Sequence, residues 1–201
     1  DLSLNTLSYD EIKSYIKVSK SDSIKKKYAE TFLLKGKKSN NKIKIADGYK
    51  FLALIHYPDS LTLQYADSII LITKDIKHIK YPATGYNIKG GTYFEKGNYK
   101  KAIDCYLIAM EYAKKSNNQY QYLTLKFNIA LLKNEMGERE DAKKYFIEYL
   151  NFVEKKDDNN NKLNIREIFW IKHYDSADNS KGYNLDSGGK LKKPNKQNIL
   201  N

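Results

Sequence analysis

The chain has little cysteine and no long apolar run, and each shortage excludes a class of protein. Cys105 is the one cysteine among 201 residues, so no internal disulfide is possible. The longest clean aliphatic run, Ile69-Ile70-Leu71-Ile72, is far short of the roughly 20 apolar residues that cross a bilayer. The sequence therefore predicts no membrane segment in this chain and a core built by ordinary side-chain burial.

Arginine is also nearly absent, although the chain is strongly basic with a net charge of +12. Of its 36 basic residues, 34 are lysine, and only Arg139 and Arg166 carry the planar fork that grips phosphates and guanine edges. A basic surface attracts nucleic acid, but the shortage of arginine argues against that partner. We keep a lysine-rich helical surface that binds nucleic acid as the alternative function.

Residues that carry out catalysis or bind metal are scarce and scattered. His56, His78 and His173 are predicted near the ends of three different helices, and none has a second His, Cys or carboxylate at ligand spacing. Since His56 and His78 precede turns at Pro58 and Pro82, we expect both side chains to be exposed. The sequence predicts no catalytic residue, no metal ligand and no cofactor, so we expect a protein that is not an enzyme.

A repeated pattern is present instead: an alanine followed four residues later by a larger apolar residue. The alanines lie 37, 36 and 40 residues apart, an interval that holds two helices. Alanine lets the second helix approach the first closely, and the residue one turn later fills the space beside it. Period-two alternation is hard to find, so the pattern predicts an all-α fold. The pairs are Ala29 and Leu33, Ala66 and Ile70, Ala102 and Tyr106, and Ala142 and Phe146.

Gly97 and Asn98 interrupt a stretch that otherwise has helical character from Tyr93 to Lys115. Glycine costs about 0.8–1 kcal/mol relative to alanine inside a helix, and Gly-Asn is typical of turns. We therefore predict a corner at Gly97 between two helices of one hairpin.

The repeat pattern and the polar stretches between the repeats predict the domain organisation. Because terminal repeats need a cap with a polar outer side, the helical segment that follows the last repeat is interpreted as a cap. The C-terminal tail is poor in apolar residues and rich in Gly, Lys and Asn, so we expect it to be flexible. The prediction is a repeat domain over 1–175, with units at about 9–40, 41–80, 83–118 and 120–155, a capping helix at 163–175, and a tail over 176–201.

The third and fourth units resemble the tetratricopeptide repeat. The resemblance implies helical hairpins stacked as a right-handed superhelix, with the first helix of each hairpin lining the concave face. Lys89 and Lys133 depart from the pattern, because they stand where the family usually has large apolar residues. The matching residues are Tyr86, Gly90, Tyr93, Gly97, Ala102 and Tyr106 in the third unit, and Ile129, Ala130, Gly137, Ala142 and Phe146 in the fourth.

Three longer segments also resemble the tetratricopeptide part of bacterial AraC-type transcription regulators. They are IADGYKFLALI, PATGYNIKGGTYFEKGNYKKAI and LKFNIALLKNEMGEREDAKKYF. In such regulators an exported repeat domain precedes a membrane helix and a DNA-binding domain. The resemblance implies that this chain is the sensor or interaction part of a signalling or transcription-regulatory protein. An exported location also fits the start at Asp1, which suits a mature N-terminus after signal cleavage.

The tetratricopeptide resemblance implies a groove that binds a protein or peptide on the concave face. The lysine/asparagine clamp that some such domains use for a C-terminal carboxylate is absent, because Gly91 and Leu131 occupy its asparagine positions. Packing between neighbouring helices is the alternative role for Phe94, Phe127 and Leu131, and a homodimer through an exposed repeat face is also open. The predicted groove residues are Phe51, Ile55, Thr84, Asn87, Phe94, Thr124, Phe127, Leu131 and Asn134.

Overall fold

The computed structural model of the chain describes residue 4 and residues 6–155. Residues 6–155 contain eight α-helices and no β-strand, which confirms the predicted all-α fold of helical hairpins. The predicted capping helix at 163–175 and the tail at 176–201 lie outside the described residues. The helices are α1 (Tyr9–Val18), α2 (Asp22–Lys38), α3 (Lys42–Ile55), α4 (Ser60–Thr73), α5 (Ala83–Glu95), α6 (Tyr99–Lys115), α7 (Gln119–Glu135) and α8 (Arg139–Lys155).

The chain divides into two compact units, Asp1–Leu132 and Lys133–Asn201. In the first unit each helix packs against the next one along the chain from α1 to α6. Such nearest-neighbour packing is the rule in repeat proteins, since one hairpin cannot bury its apolar faces alone.

The corner predicted at Gly97 is confirmed, because α5 ends at Glu95 and α6 begins at Tyr99. Gly97 has a φ of +70°, a left-handed conformation that glycine adopts without steric cost. Its N–H donates to the Phe94 carbonyl at 2.9 Å, and the Asn98 side chain accepts from the Lys101 N–H at 3.2 Å. The turn therefore satisfies the backbone groups that two helix ends leave open.

Small residues set the distance between neighbouring helices of the first unit. Ala29, Ala66 and Ala102 are fully buried, as the repeat pattern predicts. A Cβ added at Gly90 would lie 2.5 Å from the Tyr106 ring, so α5 meets α6 where Gly90 has no side chain. This contact joins two of the residues on which the family resemblance rests.

Apolar contacts in the first unit form two adjoining clusters. One includes Leu7, Ile12 and Phe32, and the half-buried Phe51 of α3 packs against it. The other lies among α3, α4 and α5 and has a buried tyrosine, Tyr81, at its edge. Its buried members are Ala46, Ala53, Ala66, Ile69, Tyr81 and Ile88.

The second unit contains the end of α7, the corner that follows it, and α8. Gly137 has a φ of +84° in this corner and repeats the role of Gly97. Lys133 stands where an apolar residue was expected, and its ammonium pairs with Glu138 at 2.5 Å and with Asp141 at 3.3 Å. On α8 one helical stripe is buried, and it comprises Ala142, Phe146, Tyr149 and Val153.

Two expectations about histidine are wrong. His56 and His78 are half-buried rather than exposed. The His56 ring lies 5.9 Å from the Tyr65 ring, and the His78 ring stacks on Tyr81 at 5.4 Å. Both corners fold back onto aromatic side chains, which a turn signal in the sequence does not reveal.

Within residues 6–155, no helix is long and apolar enough to cross a membrane. Over the same part of the chain, no three His, Cys, Asp or Glu side chains are grouped to hold a metal ion. The thiol of Cys105 is buried, and burial raises its pKa, so at neutral pH this cysteine is a packing residue.

Candidate peptide-binding face

The candidate site is the side of the first helices α3, α5 and α7 that is turned away from the second helices of the first unit. On α5 it carries Thr84, Asn87, Gly91 and Phe94, at spacings of three and four residues that place them on one side of a helix. All four are half-buried. The opposite stripe of α5 is buried, and it comprises Ala83, Gly85, Ile88, Gly90 and Thr92. We call the outer side of these three helices, up to Leu132, the first-helix face.

Polar side chains join α5 to α7 along this face. The Gln121 amide donates to the Thr84 hydroxyl at 3.2 Å, and the Asn128 amide donates to the Asn87 side-chain oxygen at 2.8 Å. Thr84 and Asn87 were predicted as groove residues, whereas Gln121 and Asn128 were missed. Their signal in the sequence is the lack of apolar residues at these points of α7.

A similar polar contact joins α3 to the segment that precedes α5. The Tyr81 hydroxyl donates to the Asp47 carboxylate at 2.7 Å, and Tyr81 itself is buried. Burial raises the pKa of the Tyr81 phenol, and the charge of Asp47 raises it further. The phenol therefore stays protonated and serves as a hydrogen-bond donor.

On α3 the exposed side differs from the predicted one by a single residue. The Phe51 ring packs edge-on against Phe32, with 5.3 Å between the ring centroids, and contacts the core cluster. Ile55, one turn later on α3, is half-buried. Leu54 is 56% exposed, and Tyr57 is exposed just beyond the helix. We therefore take Lys50 and Leu54, with Tyr57 just beyond the helix, as the residues of the first-helix face at α3, in place of the predicted Phe51 and Ile55.

The spacing of equivalent residues accounts for this shift. A Cβ on Gly48 would meet Leu33 of α2, and a Cβ on Gly85 would meet Ile70 of α4, so the two glycines take equivalent places against the preceding second helix. Gly48 and Gly85 differ by 37 positions, whereas Ala66 and Ala102 differ by 36. Counting from the alanines therefore shifts each α3 residue by one position, which is about 100° around a helix. We assign α3 the register given by the glycines.

Tyr57 connects α3 to α5 on the first-helix face. Its hydroxyl lies 3.1 Å from the point where a Cβ would stand on Gly91. Burial raises the pKa of Tyr57 to about 12, and the nearby Glu95 carboxylate contributes. Gly91 thus makes room for the phenol, and Leu54, Tyr57 and Phe94 form the apolar part of the face.

The α7 residues of the predicted groove keep their predicted spacing. Thr124, Phe127 and Leu131 are half-buried and share one side of the helix. The Thr124 hydroxyl donates to the Tyr120 carbonyl one turn earlier at 2.9 Å. Asn134 lies in the second compact unit, so it is not part of the first-helix face as defined above.

Residues 81–155 match the family model described as Tetratricopeptide repeat. The match covers α5 to α8, and α1 to α4 extend the same hairpin architecture towards the N-terminus. Neither the curated proteins nor the solved structures contain a match to the chain.

The tetratricopeptide match has a general functional meaning. Tetratricopeptide repeats typically mediate protein–protein interactions and are generally non-catalytic. The matched region gives no support to an origin in an AraC-type regulator, because the family model describes the repeat alone.

Proposed function

We propose that this chain binds a helical or extended segment of another protein on the first-helix face. The observation that carries the proposal is the apolar group of Leu54, Tyr57 and Phe94 on two adjacent first helices. Leu54 is more than half exposed although 30% of the chain is charged. Contiguous apolar patches are typical of protein-binding surfaces, and here the Tyr57 side chain reaches α5 at Gly91 from the end of α3.

The polar contacts support the same function, because they fix the helices that carry the apolar group. Gln121 and Asn128 hold α7 against α5, and Tyr81 holds the start of α5 against α3 through Asp47. A surface whose helices are already in place loses little conformational entropy when a partner binds. A helix or an extended chain lying across neighbouring helices is an established recognition mode.

The test compares two double variants in a pull-down from source-cell extract. Leu54→Lys/Phe94→Lys places two charges on the first-helix face. The matched control, Leu71→Lys/Leu107→Lys, places the same charges on the second helices α4 and α6, where both leucines are exposed. We expect the wild type and the control to retain the same protein and the face variant to lose it, while all three keep the same helical circular dichroism.

Two other results contradict the proposal. Equal retention of the protein by the face variant and the wild type shows that binding occurs elsewhere. Recovery of nucleic acid by all three proteins, lost in about 0.5 M salt, favours the lysine-dominated alternative. If the retained protein is a second copy of the chain, the partner is the chain itself and the complex is a homodimer.

We also propose that the module is the interaction part of a bacterial regulatory protein. The support is the resemblance of three segments to the repeat part of AraC-type regulators. In the source cell, replacing the gene by its Leu54→Lys/Phe94→Lys form should change a defined set of transcripts, and the Leu71→Lys/Leu107→Lys form should not. Unchanged transcripts in the face variant contradict this role and leave protein binding untouched.

A further inference from the structure

We infer that the partner segment is an amphipathic helix with acidic residues along one flank, which lies over Lys13, Lys50 and Lys80. The inference rests on the proposed function, since it concerns the same first-helix face. It adds the charge pattern of the partner, which is an acidic flank opposite the three lysines.

The three lysines come from different elements: Lys13 from α1, Lys50 from α3, and Lys80 from the segment before α5, where its neighbour Tyr81 donates to Asp47 beside Lys50. The Lys13 ammonium lies 5.9 Å from the Phe32 ring centroid, and the Lys50 ammonium lies 5.2 Å from the Phe51 centroid. Since these two ring centroids are 5.3 Å apart, α1 and α3 present their ammonium groups around one pair of rings. Burial lowers the pKa of Lys50, and repulsion by Lys80 and Lys13 lowers it further against the pull of Asp47.

The carboxylates beside these lysines neutralise them poorly. Asp47 lies 3.9 Å from the Lys50 ammonium and accepts the Tyr81 hydroxyl at the shorter distance of 2.7 Å. Asp10 pairs with Lys13 at 3.5 Å, but its side chain is 93% exposed and such pairs are weak. Within residues 6–155, no carboxylate lies within 4.0 Å of the Lys80 ammonium. The first-helix face therefore has unbalanced positive charge beside Lys50.

The basic and apolar parts of the face lie side by side. Leu54 follows Lys50 by about one turn, or about 6 Å along α3, and Tyr57 lies just beyond the end of that helix. A bound helix about 10 Å wide covers both parts at once. Its apolar side then contacts Leu54, Tyr57 and Phe94, and its flank faces Lys50 and Lys80.

The rings beside the lysines favour a polypeptide over nucleic acid. Phe32 is fully buried, and Phe51 packs against it in the core. Phe32 therefore offers no face to stacked bases, on which binding of single strands depends, and the Phe51 ring has Phe32 and the Lys50 ammonium as neighbours. Lysine ammonium groups pair with carboxylates without the planar fork that base recognition needs.

The experiment selects ligands from a random display library of peptides of about 16 residues, which is about four helical turns. Peptides that bind the immobilised full chain are kept if they do not bind Leu54→Lys/Phe94→Lys. We expect these face-dependent peptides to be enriched in Asp and Glu at helical spacing on one flank. The selected peptides are then synthesised and their affinity for the full chain is measured. The variant Lys13→Gln/Lys50→Gln/Lys80→Gln of the chain should bind them about tenfold more weakly than the wild type at low salt.

The matched control, Lys20→Gln/Lys26→Gln/Lys27→Gln, removes the same charge from exposed lysines near the α1–α2 corner. It should change the affinity by less than about twofold, because the inference assigns the attraction to the local charges of Lys13, Lys50 and Lys80. An equal loss in both triple variants attributes the attraction to diffuse net charge and overturns the inference.

Two further outcomes separate this inference from the proposed function. Face-dependent peptides without acidic enrichment, or with affinity unchanged in Lys13→Gln/Lys50→Gln/Lys80→Gln, overturn the acidic flank and leave peptide binding intact. A selection that yields no face-dependent peptide contradicts both. Thermal unfolding of each variant, followed by circular dichroism, shows whether its helices remain intact.

Discussion

At the scale of single residues, Gly90 and Gly91 are neighbours in α5 with different surroundings. A Cβ on Gly90 would meet the Tyr106 ring at 2.5 and 2.6 Å, and Tyr106 is buried and has little room to move. A Cβ on Gly91 would meet the end of the more exposed Tyr57 side chain at 3.1 Å. The family pattern marks Gly90, whereas the reason for Gly91 is visible only in the structure.

These surroundings predict opposite effects of alanine at the two positions. Gly90→Ala should lower the free energy of unfolding by about 1–2 kcal/mol, because overpacking exceeds the gain in helix propensity. Gly91→Ala should be neutral or stabilising by up to about 1 kcal/mol, since Tyr57 can shift. Urea unfolding of both variants measures the difference, and equal effects would show that α5 and α6 do not meet at Gly90.

Buried tyrosines predict loss of stability in alkali. Burial raises the pKa of Tyr106 above its ordinary value, with smaller effects of Tyr57 and Cys105. A phenol whose pKa is higher in the folded state contributes stability that is fully present below pH 10 and is lost as the pH rises towards the folded pKa. Tyr106 should therefore contribute a fall of about 1.4 kcal/mol per pH unit above pH 10.

Tyr106→Phe tests this contribution without leaving a cavity. Between pH 10 and 12 its free energy of unfolding should fall less steeply than that of the wild type. Parallel curves for the two proteins would show that Tyr106 ionises as freely in the folded state as in the unfolded chain.

At the scale of elements, the hairpins follow from the sequence because their apolar residues recur with helical period. The corner at Gly97 was predictable from turn chemistry, and the face of α5 from the strong match of the third unit. The face of α3 was not, because the spacing of the alanines differs by one residue from the spacing of Gly48 and Gly85, whose equivalence is visible only in their contacts. Lys89 is also unexplained by the sequence pattern. Its ammonium pairs with Asp67 of α4 at 2.6 Å, a contact between two neighbouring repeats that no local pattern contains.

The corrected register of α3 predicts which residue tolerates charge. Phe51→Lys should lower the free energy of unfolding by about 3 kcal/mol or more, since it removes an aromatic contact with Phe32 and places a charge at the core. Leu54→Lys should change it by less than about 0.5 kcal/mol, because Leu54 is exposed. Denaturant unfolding measures both, and the reverse order would restore the originally predicted register.

At the scale of the whole molecule, charge and shape give different information about function. The net charge of +12 suggests an anionic partner but does not locate it. The packed helices of the first unit concentrate some of these groups, bringing Lys13 and Lys50 to the adjoining rings of Phe32 and Phe51, with Leu54 about one turn after Lys50 on α3. This arrangement could not be predicted from one sequence, because it depends on contacts between residues about 30 positions apart.

The pull-down with Leu54→Lys/Phe94→Lys tests the central claim most directly. The account predicts that this variant loses a protein that the wild type and Leu71→Lys/Leu107→Lys both retain, with helical content unchanged in all three. Retention of that protein by the face variant would contradict binding on the first-helix face.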